Sequence, residues 1–403
     1  MEVRSGWEPQ PETKGTWASS DEGAPGGHGT AVAENPGSAS LLDRIVAVEV
    51  AATVGHSMGD VTEIMDWTEI EAQYGLVTTM LPQPGKWGDK KPNLPTVRGY
   101  PSLYQVHDRP PGMSEDGHER HRLTATAVIE KGGRVGVEDV ARIWVRDIDP
   151  AKFGILLGAQ DQVIYYSAKA GVPPWEIGKF AYFTGAWGVT AMMIPVGVVN
   201  AGNPDQAAQD AFDVGRLKDQ AGVNGNYALE VASAVAAGVA EGLGAGSTVR
   251  SVIEAALARL SPVPRAEVER ILEYLPEGSD WRGLRRLLDE EYKGRTILWP
   301  VETLGTALAC VHVTQGNPFE AVVGAVNLGR DTDGRACVAG ALSASLTGTS
   351  GLPPEWEQTI SEQVVDDPYT VSRRTPRETG EGLLRAVQGN LAQLRRQLDR
   401  VAT

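Results

Sequence analysis

Nowhere among the 403 residues do about 18 apolar side chains run together, so no segment reads as a membrane-spanning helix. Cysteine is nearly missing: Cys310 and Cys337 are the two in the chain, each inside an apolar stretch. Both are expected as small buried hydrophobes in a reducing compartment, which excludes a disulfide-built scaffold. Basic residues are outnumbered, 37 against 52 acidic ones, giving a formal charge of −15. A nucleic-acid binder needs a basic face to meet phosphates, and this balance argues against one. It suits a protein that binds cations. The opening residues lack the charged-then-apolar order of a secretory signal. The expectation is a cytoplasmic protein with neither a membrane nor a nucleic-acid partner.

Strand-like alternation is scarce as well. "RVGVE" and "QVIYYS" are the best cases, and both are short. Helical patterns dominate instead. In "VGVEDVARIWVRDI", Val137, Val140, Ile143 and Trp144 share a face, with Glu138 and Asp139 in the first turn. "NPDQAAQDAFDVGRL" opens with an Asn cap and a proline at the first helical position. "NYALEVASAVAAGVAEGL", "TVRSVIEAALARL" and "PFEAVVGAVNLG" continue the series. Small residues in such helices predict close packing on several neighbours. "LLDRIVAVEVAATVGHSMGD" reads as a helix that ends in a glycine-containing turn. The fold class is all-α, with buried Ala/Gly-rich helices at the centre and no repeat at a fixed period.

Three segments follow from composition. Residues 1–40, rich in Gly, Pro, Ser and Glu, read as a disordered leader. Residues 41–372 form the helical domain. In 373–403, Leu384, Val387, Leu391, Leu394, Leu398 and Val401 alternate spacings of three and four, a heptad seam. Such a helix either packs on its own domain or joins two copies through 383–401.

Chemistry gathers at three places. In "NLGRDTDGRACVAGALSAS", Asp331 and Asp333 precede an apolar helix and stand between Gly329 and Gly334. A helix cap accounts for one aspartate; a hard divalent cation accounts for both. In "PPGMSEDGHERHRL", Ser114, Glu115 and Asp116 follow a Pro-Pro-Gly turn and open another helix. His118 and His121 lie three apart there, but no further nitrogen or sulfur ligand sits at a zinc spacing, so surface or hydrogen-bonding roles are expected. In "VGHSMGDVTE", Glu63 follows glycines that would let a ligand approach the backbone.

Taken in order, a glycine turn with a downstream Glu, a Ser-acid-acid motif and Gly-x-Asp-Thr-Asp before a small-residue helix resemble the ADP-ribosylglycohydrolase family. The likeness runs from about Leu41 to Trp356 and includes "MMIPVGVVNAGNP" and "NGNYA". It implies a single orthogonal helical bundle that binds Mg²⁺ or Mn²⁺, one or two ions, at its centre. By this resemblance Ser114, Glu115, Asp116, Asp331 and Asp333 are metal ligands. Glu115, Asp116 and Glu63 carry the catalysis, and Gly329, Gly334, His56, Asn224 and Tyr227 bind substrate. The chain departs from the family pattern at four positions. His56 stands for an Asp, Glu115 for an Asp, Gly117 for a Thr, and Gly334 for the Thr or Ser that gives a metal its oxygen. The paired departures favour a single ion re-centred by Glu115, with Gly334→Thr restoring affinity for a second.

The resemblance implies hydrolysis of an N-ribosyl bond. The expected substrate is a small ribosylated molecule or nucleotide, with ADP-ribosylated protein as one alternative and a silent ribosyl-ligand binding protein as another. Cation-bound ribose hydroxyls, and Glu115 or Asp116 taking a proton from water, would give the mechanism. Tyr165, Tyr166, Trp175, Tyr182, Phe183 and Trp187 read either as packing or as a stacking wall for a flat leaving group.

Overall fold

The computed structural model describes residues 39–83, 109–153, 156–181, 185–220 and 227–402. Among these the secondary structure is seventeen α-helices with short 3₁₀ and π turns, and no strand. Two isolated bridges, Asp66 with Gly329 and Gln83 with Arg109, are the extended pairings seen. The all-α class holds. The expected leader lies almost wholly outside the described residues, as do Tyr182, Phe183 and Asn224. No described helix is long and apolar enough to cross a membrane.

Eleven helices, numbered in chain order, are enough to place the site. They are α1 (Leu41–Thr62), α2 (Asp116–Lys131), α3 (Val137–Asp147), α4 (Ala159–Lys169), α5 (Pro204–Gly215), α6 (Tyr227–Gly242), α7 (Val249–Leu257), α8 (Pro300–Val313), α9 (Pro318–Val326), α10 (Thr332–Thr347) and α11 (Pro376–Val401). Local chemistry sets several starts. Asn203 Oδ1 accepts from Gln206 N at 3.2 Å to open α5, with Pro204 next. Thr248 Oγ1 accepts from Ser251 N at 3.1 Å to open α7. The strand-like pair dissolves: "RVGVE" runs into the start of α3, and "QVIYYS" lies inside α4. Helical packing overrides a weak β preference there.

α10 is the axis of the bundle. Every residue from Thr332 to Leu346 is buried, as a helix apolar all round must be. α1, α6, α8 and α9 surround it. α1 corrects the sequence reading, because it does not end at its glycines but runs through Gly55 and Gly59 to Thr62. A Cβ at Gly55 would overlap the backbone of Ala336 and Cys337, and one at Gly59 the backbone of Asp333. These glycines admit the neighbouring helix, not a ligand. Thr332 Oγ1 then donates to Gly59 O at 2.8 Å, and Thr62 Oγ1 lies 3.0 Å from Thr332 Oγ1. Backbone bonds from Ile64 N to Arg330 O and from Arg330 N to Met65 O, both 2.9 Å, stitch the end of α1 to the start of α10.

The heptad seam of α11 divides in two. Leu383, Ala386 and Val387 are buried against the domain, and Asn390 Nδ2 donates to Val199 O at 3.1 Å. Beyond that bond Leu391, Leu394, Leu398 and Val401 are exposed.

Candidate active site

The stitching of α1 to α10 brings three carboxylates together. Glu63, at the C-cap of α1, meets Asp331 and Asp333 at the start of α10, with one oxygen of each inside a 4.8 Å circle. Asp331 holds the N-cap position but makes no capping bond with its side chain. Its Oδ2 instead accepts from Thr303 Oγ1 of α8 at 3.1 Å. Burial, then repulsion from Asp333 and Glu63, pushes its carboxyl well above the ordinary range, with Arg335 opposing. Arg335 is itself engaged elsewhere. Its guanidinium donates to Thr306 Oγ1 and Gly329 O, both at 2.7 Å, and lies 3.4 Å from Glu302. The trio thus gathers three carboxylates within reach of one point, with His56 Nδ1 3.9 Å from Asp333 Oδ2. An all-oxygen, acid-rich set of this kind fits a hard divalent cation.

The motif at the start of α2 behaves differently. Glu115 caps its own helix: Oε2 accepts from Gly117 N at 2.7 Å and Oε1 from His118 N at 2.8 Å. The same Oε1 lies 2.5 Å from His56 Nδ1, and both side chains are buried. Burial pushes Glu115 up to about 8, with His56 opposing and Asp116 and Asp333 adding to the rise. Burial alone would lower His56, but Cys337, Glu115 and Asp333 hold it well above its usual value. Asp116 has a permanent cation beside it. Arg120 Nη2 lies 2.5 Å from Asp116 Oδ2, and the same guanidinium reaches Asp161 at 2.7 and 2.8 Å. Burial would raise Asp116; Arg120, Glu115 and Lys218 instead keep it at about 2.

Both groups open on one cavity of about 290 Å³. Glu63, Asp331 and Asp333 line one part, and His56, Glu115, Asp116 and Arg120 another. Trp187, Ile297, Leu298 and Leu156 supply an apolar wall. Asp60 joins the lining from α1, where His56, Asp60 and Glu63 share a face at spacings of four and three.

Several sequence expectations need correction. Ser114 does not line the cavity; its hydroxyl donates to Glu119, away from the carboxylate trio. Gly329 has φ +78 and is pressed against Met65 and Trp67, with its carbonyl bonded to Arg335, so it shapes the turn and does not touch the cavity. Tyr227 stacks edge-on against Trp299 with centroids 5.9 Å apart, outside the lining. Of the two roles expected for His118 and His121, the hydrogen-bonding one holds and the surface one does not: His118 Nε2 lies 3.1 Å from Thr53 Oγ1, and His121 Nε2 lies 2.9 Å from Glu49. Gly334 does line the cavity, but a Cβ there would fall inside the Trp187 indole, so Gly334→Thr has no room to add a ligand. Of the expected aromatic wall, Trp187 alone among the described residues reaches the cavity. Arg120 and Asp60 were missed. The 56-60-63 spacing would have shown Asp60 had α1 been extended through its glycines.

The central helices of this bundle converge on carboxylates beside an apolar-walled cleft, which defines an all-α protein built around an acidic site. The family model of ADP-ribosylglycohydrolase matches residues 37–393, and the chain belongs to that family. A solved structure titled "ADP-ribosylglycohydrolase-related protein complex" is similar in fold, with a TM-score of 0.55. It is 19% identical and the match covers 87% of this chain and 98% of that one. No curated protein matches the chain.

Proposed function

We propose that the chain hydrolyses the N-ribosyl bond of a small ribosylated molecule. The observation that carries this reading is the convergence of Glu63, Asp331 and Asp333, close enough to share one ion, facing an apolar wall across one cleft. The trio would hold Mg²⁺ or Mn²⁺, which when bound supplies a Lewis acid for ribose hydroxyls and for water. The negative charge that remains stabilises an oxocarbenium-like transition state at the anomeric carbon. Glu115 takes the proton of the attacking water, since a carboxyl raised toward neutrality by its surroundings is matched to that task. As the C–N bond breaks, the leaving nitrogen recovers a proton from the same group. Asp116, held ionised by Arg120, is a poor base and serves to fix the Arg120 charge. Trp187 offers a face to a flat leaving group. A cleft of about 290 Å³ lies at the small end of ligand sites, which favours a compact substrate over a modified protein. Two buried free cysteines suit a reducing, cytoplasmic setting.

The test is a panel of nucleosides, nucleotides, ADP-ribose conjugates and ADP-ribosylated protein, incubated with Mn²⁺ and resolved by chromatography. Free base and ribosyl product from a small substrate support the reading. Release from modified protein alone would replace it with the protein-directed activity.

A further inference from the structure

The four departures from the family pattern fall on two steric exchanges. Gly117 and Gly334 are the two small members. A Cβ at Gly117 would come within 2.7 Å of His56 Cε1 and 3.0 Å of Glu115 Oε1. A Cβ at Gly334 would overlap the Trp187 indole nitrogen and its neighbouring ring carbons. In each case a large side chain occupies the volume that a hydroxyl-bearing residue would use. His56, Glu115 and Asp333 also cluster closely enough to suggest a ligand group. Glu115, however, already accepts two backbone amides at 2.7 and 2.8 Å and faces an imidazole at 2.5 Å. The next carboxylate, Asp116, is tied to Arg120, whose guanidinium is 2% exposed. Lys218, also buried, lies in the same region, its amine lowered to about 7 by burial and by Arg120. The Arg120 guanidinium and the His56 imidazole thus stand where a second metal ion would be expected.

Resting on the reading that the trio binds a cation, we infer that this protein has a one-ion site whose second position has been replaced by protein. Arg120 supplies the positive charge, and His56 and Trp187 fill the volume. The second ion implied by the family does not fit the residues present.

Elemental analysis after equilibrium dialysis against Mn²⁺, with electron paramagnetic resonance of the loaded protein, tests the inference. The wild type should hold one Mn²⁺ per chain and show an isolated-ion spectrum. Asp331→Asn should hold none, because the half around Glu115 would not bind alone. His56→Asp combined with Trp187→Ala, which empties the second position, should raise the stoichiometry toward two with an exchange-coupled spectrum. If that pair of changes prevents folding, the wild-type and Asp331→Asn counts still decide. Two ions in the wild type, or one ion retained by Asp331→Asn, would overturn the inference. Failure of the hydrolase reading shows separately, as one-ion protein that turns over no ribosyl substrate.

Discussion

Two halves of one cleft solve the problem of buried carboxylates in opposite ways. Around Glu63, Asp331 and Asp333 the acids crowd together, and the Arg335 guanidinium is bound to Thr306, Gly329 O and Glu302. Around Glu115 and Asp116 each acid has a cation within 2.5 Å. The first arrangement gathers like charges on one side of the cleft; the second pairs each acid with a basic side chain. A cluster of acids in a motif therefore does not by itself count metal ions. What counts them is how much positive charge the rest of the fold has already placed there.

This comparison can be broken most forcefully at Arg120. Arg120→Met leaves buried Asp161 and half-buried Asp116 without their partner, and breaking a buried pair costs about 3–5 kcal/mol. Urea unfolding should show that loss with or without Mn²⁺. A cost that disappears on adding Mn²⁺ would mean the two halves are interchangeable.

The trio responds in the other sense. Asp331→Asn should weaken Mn²⁺ binding by at least about 100-fold, since even outer partners of metal ligands are worth 10–100-fold. Turnover should fall with it. In ion-free protein the same change should leave stability unchanged or raised, because it removes a charge that Asp333 and Glu63 repel. Calorimetric titration and thermal unfolding check both signs. In wild type, Mn²⁺ at 100 times its dissociation constant should add about 2.7 kcal/mol of stability, an increment absent from the variant.

Gly59→Ala probes the joint that both halves share. Its new methyl meets the Asp333 backbone, and overpacking of this kind costs about 1–3 kcal/mol. The variant should lose ion affinity as well, although it touches no carboxylate; unaltered affinity would mean the trio does not depend on the helix contact.

The smallest effect lies farthest away. Leu391→Glu on the exposed end of α11 should change stability by less than about 0.5 kcal/mol. Light scattering should nevertheless show a halved mass if that stripe joins two copies; an unchanged mass means it does not.

What the sequence showed follows the range of the interactions involved. Caps such as Asn203 and Thr248 act within three residues, and their helices were readable. The acidic pairs at the starts of α2 and α10 were visible because charge beside an apolar helix is conspicuous. Gly55 and Gly59 misled because a glycine admitting a helix some 280 residues away looks the same as a glycine ending its own. Roles at the site went astray for a similar reason. Nothing local says that Glu115 meets His56, that Asp116 meets Arg120, or that the Trp187 indole covers Gly334. Ser114 was placed by its motif, and the hydroxyl turns to Glu119 instead.

The backbone-to-backbone contact of α1 and α10 at Gly55 and Gly59 has a kinetic consequence. With no side chains between the two helices, there is no soft layer in which the first turn of α10 can loosen alone. Amide hydrogens of residues 336–341, bonded inside the buried length of α10, should therefore exchange with deuterated solvent only when the whole bundle opens, at the slowest rates in the molecule. Selectivity for a ligand must then come from the side chains that ring the cleft, because the floor beneath them does not breathe.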